Sequence, residues 1–483
     1  MTTTTRALDH AMPAAREAVR PRDLSTRAPF RSSRGERRAD ATIRGEIPDW
    51  LRGDLVRTTP ATFVEGTWEA HHWFDALGML YGFRVGDAGV TYRQRPMSQT
   101  QVAQGAHEGR ASTASFGTPL QRGFWARLFQ PVPPVTDNAN VNVVALGDER
   151  VAMTESPHQW AVDPDTLELT RTLTYTDDVG DVAMIAHPHM DFETGRVVSL
   201  ATRFGMKSEI VVYEHAPNER TRRIVGRIPA ARMPYVHGFG LTARHAIVIG
   251  HPFDVAPWRV LWSNRGFADH FEYRPDAGTT LWLVDRATGA VRTHHAPSGF
   301  VFHVVNAFED GDATTIDVAM YPDASVVSGF RSDAIAADGL PDLVPSIVRW
   351  TMREGAREAK HEVLHARGFE FPSISYRRVN GKRHDVAWGA RVSERGTAGE
   401  IVRFDGAGER TFAEAGFVFG EPIFVARPKS EREDDGVIVT VGSHVESSRS
   451  AMAVLDARSL EVRAWAEIPL SIPLGFHGSF FRD

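Results

Sequence analysis

The chain has 483 residues, of which 42% are hydrophobic and 24% charged, with no cysteine and a formal net charge of -6. That composition fits a soluble globular chain able to bury a large core, and it excludes the disordered, collagen-like and polytopic membrane classes. Without cysteine there are no disulfides, thiolate metal sites, iron–sulfur clusters or cysteine nucleophiles, and the acidic balance speaks against nucleic acid as a partner.

Any metal must therefore take nitrogen or oxygen ligands, and 20 histidines make imidazole chemistry the first to look for. No stretch approaches the ~18 consecutive apolar residues of a membrane-spanning helix, and the amino terminus lacks the apolar segment of a signal peptide, which predicts a cytoplasmic protein.

In chain order, residues 1–40 hold nine Arg and five acids with few large apolar residues, and read as a flexible basic arm. Residues 41–483 read as a single domain. Short runs rich in Val, Ile, Phe, Tyr and Trp, broken by Gly, Asp and Asn, predict an all-β fold. A unit recurs in AVDPDTLELTRTL, MDFETGRVVSL, LVDRATGAVRT and VLDARSLEVRAW: an apolar run, an Asp, a short polar turn and a second strand. Each predicts a hairpin within a repeated blade, and radial repetition of such sheets gives a β-propeller with a central channel. Further hairpins are predicted at FRVGDAGVTYRQR and at YRRVNGKRHDVAW, where Asn380 and Gly381 suit a tight turn.

Two segments interrupt the strands. Residues 116–134 place Phe116, Leu120, Phe124, Trp125, Leu128 and Phe129 beside Arg122 and Arg127; residues 255–271 carry Trp258, Leu261, Trp262 and Phe267. They read as helices capping the propeller, either with their apolar side chains in the core or, mainly for the first, as a peripheral patch on the inner membrane surface.

Four histidines stand in apolar or Gly-rich settings near strand ends: His187 in MIAHPHMD, His237 in YVHGFGLT, His303 in FVFHVVNAFE and His477 in PLGFHGSFF. Their wide spacing fits ligands donated by different blades to one axial point, and it fits hydrogen-bonded core histidines equally well.

GDLVRTTP, HHWFDALGMLYGFRV, VTDNANVNVVALGDERVAMTE, IAHPHMDFETG, VHGFGLT, FVFHVVNAFE, FEFPSI, GEPIFVARP with EDDGVIVTVG, and GFHGSF resemble, in order, the signature blocks of the carotenoid cleavage oxygenases. The resemblance runs from about Gly53 to the last residues. It implies a seven-bladed β-propeller under a dome of helices and loops, with one non-haem Fe(II) per chain on the axis. The family's iron ligands fall on His187, His237, His303 and His477, with His189 a neighbour; His71, His72, His158, His294 and His295 match no ligand block. Its three supporting carboxylates fall on Glu155, Glu370 and Glu421, which would orient the ligating rings and balance the charge of the ion.

The implied reaction is cleavage of a conjugated C=C bond by O2 to two carbonyl products, usually aldehydes. Thr154 stands where the stilbene-cleaving branch has a lysine, and Val141 faces an open iron position, where some members have Thr. Both favour an apolar polyene, a carotenoid or apocarotenoid, as substrate. HWFDALGML and PMSQTQVAQ depart from the family pattern near the substrate. The alternatives are a stilbene- or phenylpropanoid-cleaving dioxygenase, a retinoid isomerase, and a non-enzymatic propeller that serves as a binding scaffold.

Overall fold

The computed structural model describes residues 24, 29–130, 132–177, 179, 183–205, 207–260 and 263–483. Among them, seven antiparallel sheets of four to six strands form the blades of a propeller. Blade 1 is built on Gly53–Thr62, Leu77–Gly86 and Gly89–Pro96. Blades 2 to 6 follow in chain order from inner strands Asn142–Leu146, Ala183–Met184 with His189–Asp191, Phe239–Leu241, Phe300–Asp310 and Glu370–Ser373. Blade 7 starts from Phe417–Phe419 and Ile423–Ala426.

Burial explains the strand sequences. Middle strands such as His245–Gly250 and Gly53–Thr62 are buried along their whole length and carry mostly apolar or small residues, because sheets pack on both faces. Outer strands such as Gly408–Phe412 are exposed and polar, which blunts the sheet edge.

The ring closes twice. Gly478–Arg482, at the carboxyl end, adds to Gly53–Thr62 as the innermost strand of blade 1. Thr42–Gly45, near the other end, adds to Val462–Ile468 as the outermost strand of blade 7. The carboxyl strand begins on glycine for a steric reason: a Cβ at Gly478 would stand 2.2 Å from the Val56 carbonyl oxygen.

The recurring Asp motif is a single turn used four times. Asp163, Asp191, Asp285 and Asp456 each accept the amide of a Thr or Ser three residues on. The fourth residue on takes a positive φ and returns its amide to the carbonyl of the Asp. Gly195 and Gly289 do this freely; Leu167 and Leu460 do it at a cost of about 1–2 kcal/mol. Those two leucines are buried, at 1% and 3% exposure, and burial of the side chain offsets the strain.

Three expectations change. The arm is ordered in part: Arg37–Asp40 pairs with the outer strand of blade 1, and Leu24 and Phe30 are buried, the latter edge-on to Phe63 and Trp73. Few large apolar residues are needed once these two reach the core; residues 1–23 and 25–28 lie outside the described residues. Asn380 and Gly381 do not close a hairpin, because a short helix, Tyr376–Val379, precedes them and Asn380 keeps a negative φ. Its side chain instead donates to the Met190 carbonyl in blade 3.

The third concerns the dome. Its segments include the helices Gln101–His107, Phe124–Phe129 and Ser332–Asp338. Leu120 is buried and Phe116 packs on the core, but Phe124, Trp125, Leu128 and Phe129 are exposed, Trp125 at 67% and Phe129 at 80%. Trp258 is also exposed, while Leu261 and Trp262 lie outside the described residues. Arg122 joins the two segments by donating to the Ser263 carbonyl and pairing its backbone with the Asn264 amide.

Candidate metal centre

Four side chains of the site sit where the ladder of an inner strand is interrupted. His187 lies in the gap between Ala183–Met184 and His189–Asp191, and Glu421 in the gap between Phe417–Phe419 and Ile423–Ala426. His303 sits at a register shift in Phe300–Asp310, and Glu370 at another, beside Phe371 with φ of 53°. Such irregularities re-aim a side chain, at a local cost that the surrounding sheet bears. His237 precedes Phe239–Leu241 and His477 precedes Gly478–Arg482.

The structure brings all four of these histidines together. One ring nitrogen from each falls within 4.8 Å of the others. The Nε2 atoms of His187 and His237, and of His303 and His477, are 3.0 Å apart, and those of His237 and His303 are 3.3 Å apart. About 3 Å is the separation of two nitrogens at right angles on an ion with bonds near 2.1 Å.

The carboxylates fix which nitrogen faces inward. Glu155 accepts the Nδ1 proton of His237 at 2.5 Å, Glu370 that of His303 at 2.5 Å and Glu421 that of His477 at 2.8 Å. With Nδ1 protonated, each Nε2 turns a lone pair toward the same point, an arrangement that repels itself until a cation occupies the centre. Burial, reinforced by the neighbouring imidazoles, pushes His187 and His477 well below the usual histidine range, which favours their neutral form. Burial lifts the Glu421 carboxyl to about 7, against the opposing pull of the Arg57 guanidinium. The donor set therefore fits a divalent cation of intermediate softness.

The remaining histidines stay out of the quartet. His189 spends Nε2 on the Phe239 carbonyl and Nδ1 on the Tyr376 hydroxyl, leaving no lone pair for a metal. His72 is likewise bound, to the Val327 carbonyl and the Phe74 amide. His158 lines the adjoining cavity without reaching the centre, and His71, His294 and His295 also lie outside the cluster.

Two participants escaped the sequence reading. Tyr235 donates its hydroxyl to Glu155, and Arg57 donates to the Glu421 carbonyl. GDLVRTTP, with Asp54, Arg57 and two threonines, gives no sign that Arg57 is the one to reach the site. A cavity of about 950 Å³ meets the centre at His237, His303 and His477. Phe302, Phe371, Phe476 and Val141 line it together with these histidines, Thr154 and Glu155 share its wall, and Val132 and Pro133 lie along it beside the exposed aromatic patch.

Similarity to known proteins agrees with this geometry. A carotenoid-cleaving dioxygenase of Pongo abelii, described as mitochondrial, is 26% identical over 91% of both chains. A carotenoid isomerooxygenase of Galleria mellonella is 28% identical over 91% of this chain and 93% of its own. Among solved structures, the Synechocystis apocarotenoid oxygenase in a Glu150Gln form superposes with a TM-score of 0.81 at 23% identity, covering 94% of this chain and 98% of the other. A cobalt-substituted form of the same oxygenase gives 0.80 at the same identity, covering 94% and 97%. The family model for retinal pigment epithelial membrane protein matches residues 30–482, and with that match the chain belongs to this family, that of the carotenoid oxygenases.

Proposed function

We propose that the chain is a non-haem Fe(II) dioxygenase that uses O2 to cleave one conjugated C=C bond of a carotenoid or apocarotenoid to carbonyl products. The observation that carries this reading is the convergence of four imidazoles, three of them backed by carboxylates, at the wall of a large apolar cavity. His187, His237, His303 and His477 would hold the iron; Glu155, Glu370 and Glu421 orient three of the rings and offset its charge. When bound, a ferrous ion with four protein ligands keeps positions for activating O2.

The protein's own part is to place the polyene and keep water away. Phe302, Phe371 and Phe476 give the cavity an apolar wall beside the ligands, suited to a chain of conjugated carbons. Thr154, also in that wall, offers no charge to a phenolic substrate, which favours the polyene over a stilbene. A binding scaffold would have no use for four inward-facing lone pairs.

The test is to load the purified protein with Fe(II) without oxygen, supply β-carotene, an apocarotenal or resveratrol, admit air and identify aldehydes by mass spectrometry. Expected are about one iron per chain and aldehydes from a polyene. A metal-free chain of unchanged stability would make it a scaffold, and products from resveratrol alone would make it a stilbene-cleaving enzyme.

No helix among the described residues is long and apolar enough to cross a membrane. The exposed Phe124, Trp125, Leu128 and Phe129, flanked by Arg122 and Arg127, support peripheral contact with the inner membrane surface beside the cavity, where an apolar substrate would be collected. Replacing Trp125 and Phe129 with Ser should weaken binding to liposomes at least tenfold in cosedimentation and leave turnover of a short soluble substrate nearly unchanged.

A further inference from the structure

Gly53–Thr62 is buried at every position, so Arg57 in its middle places a guanidinium, 1% exposed, where only a specific partner compensates its desolvation. Its Nη1 donates to the Glu421 carbonyl at 2.7 Å and its Nη2 to the Phe476 carbonyl at 2.6 Å. Nη2 also lies 3.6 Å from a carboxylate oxygen of Glu421. One side chain thus spans the backbone of the supporting carboxylate and that of the residue preceding ligand His477. Among the described residues, Glu155 and Glu370 form no ion pair with Arg or Lys: Glu155 is met by His237 and Tyr235, Glu370 by His303 and the Phe371 amide.

We infer that Arg57 is a positioning residue that sets the ferrous–ferric balance of the centre, by cancelling one of three carboxylates while clamping the Glu421–His477 pair. The inference rests on the iron reading. With a ferrous ion bound and all three carboxylates ionised, one negative charge would be left over, and the guanidinium would cancel it. A fixed positive charge in this buried setting disfavours the ferric ion, whose additional charge it repels. With iron held there, the guanidinium would thus help keep it in the ferrous form in which it is loaded. Without Arg57, the uncompensated carboxylate would favour the ferric form.

Spectroelectrochemical titration of iron-loaded protein tests this. Arg57→Met should lower the midpoint potential by an amount equivalent to at least a tenfold change in the ferric-to-ferrous ratio, about 59 mV for one electron. Glu421→Gln, which keeps an acceptor for His477, should raise it comparably. The double variant, with both charges gone, should return to within about threefold of the parent in that ratio, a compensation that a purely structural role would not give. Arg57→Lys keeps the charge and should keep the potential while holding iron less tightly, because one ammonium cannot span both carbonyls.

An unchanged potential in Arg57→Met with iron retained, or a double variant as far displaced as Arg57→Met, overturns the inference. Should Arg57→Met fail to fold, an unshifted Glu421→Gln or a displaced Arg57→Lys overturns it as well. A parent protein that takes up no iron refutes the metal reading itself, a distinct outcome.

Discussion

Replacing His237 or His303 with Ala is expected to leave a folded propeller that retains no iron and cleaves no polyene. Each ring supplies one of four inward-facing nitrogens and is held by a carboxylate at 2.5 Å. Loss of a supporting partner alone costs a metal site roughly 10–100-fold in affinity or activity, and loss of the ligand itself should exceed the upper end of that range. The removed side chain also leaves Glu155 or Glu370 without its imidazole, so the remaining charges no longer suit the ion. Metal analysis after gel filtration, a circular dichroism spectrum and a turnover assay check all three statements. Full activity in either variant would refute the ligand assignment.

Ending the chain at His477 should have the largest effect on stability. It deletes Gly478–Arg482, whose pairing with residues 53–57 supplies the innermost strand of blade 1. The truncation bares an edge of Gly53–Thr62, a strand buried at all ten positions, and such an edge pairs with whatever chain it meets. The expected result is aggregated product with no cooperative melt. Deleting Asp483 alone, which spares the strand, should leave solubility and melting unchanged. A soluble, monomeric protein ending at His477 would mean that the ring does not depend on this closure.

Much of the site was legible because its residues fall in ordered sequence blocks: the four histidines named from those blocks converge, and the three carboxylates reach three of them. The partnerships were not legible. Glu155 serves His237 across 82 residues, Glu370 serves His303 across 67, and Glu421 serves His477 across 56, distances that only the packing of inner strands resolves. Arg57 looked like one more polar residue in a strand until its burial and its two carbonyl partners were known.

The fold was legible to a similar depth. Turns built on Asp163, Asp191, Asp285 and Asp456 are local chemistry, and local chemistry is readable from sequence. At Asn380 the same logic failed, because a side-chain bond to a distant blade competed with the local turn. Whether Trp125 and Phe129 faced the core or the surroundings depended on which neighbours the dome supplied, and no periodicity in six helical residues encodes that.

The double closure also governs when the protein can mature. A nascent chain on the ribosome can assemble individual blades, yet Gly478–Arg482, the partner of Gly53–Thr62 in the first large sheet, is synthesised only after the strands of the other six blades. His477 emerges with that partner, so the histidine quartet lacks a member until that strand has been made. An ion held by all four histidines would therefore enter only after the first and last blades have met.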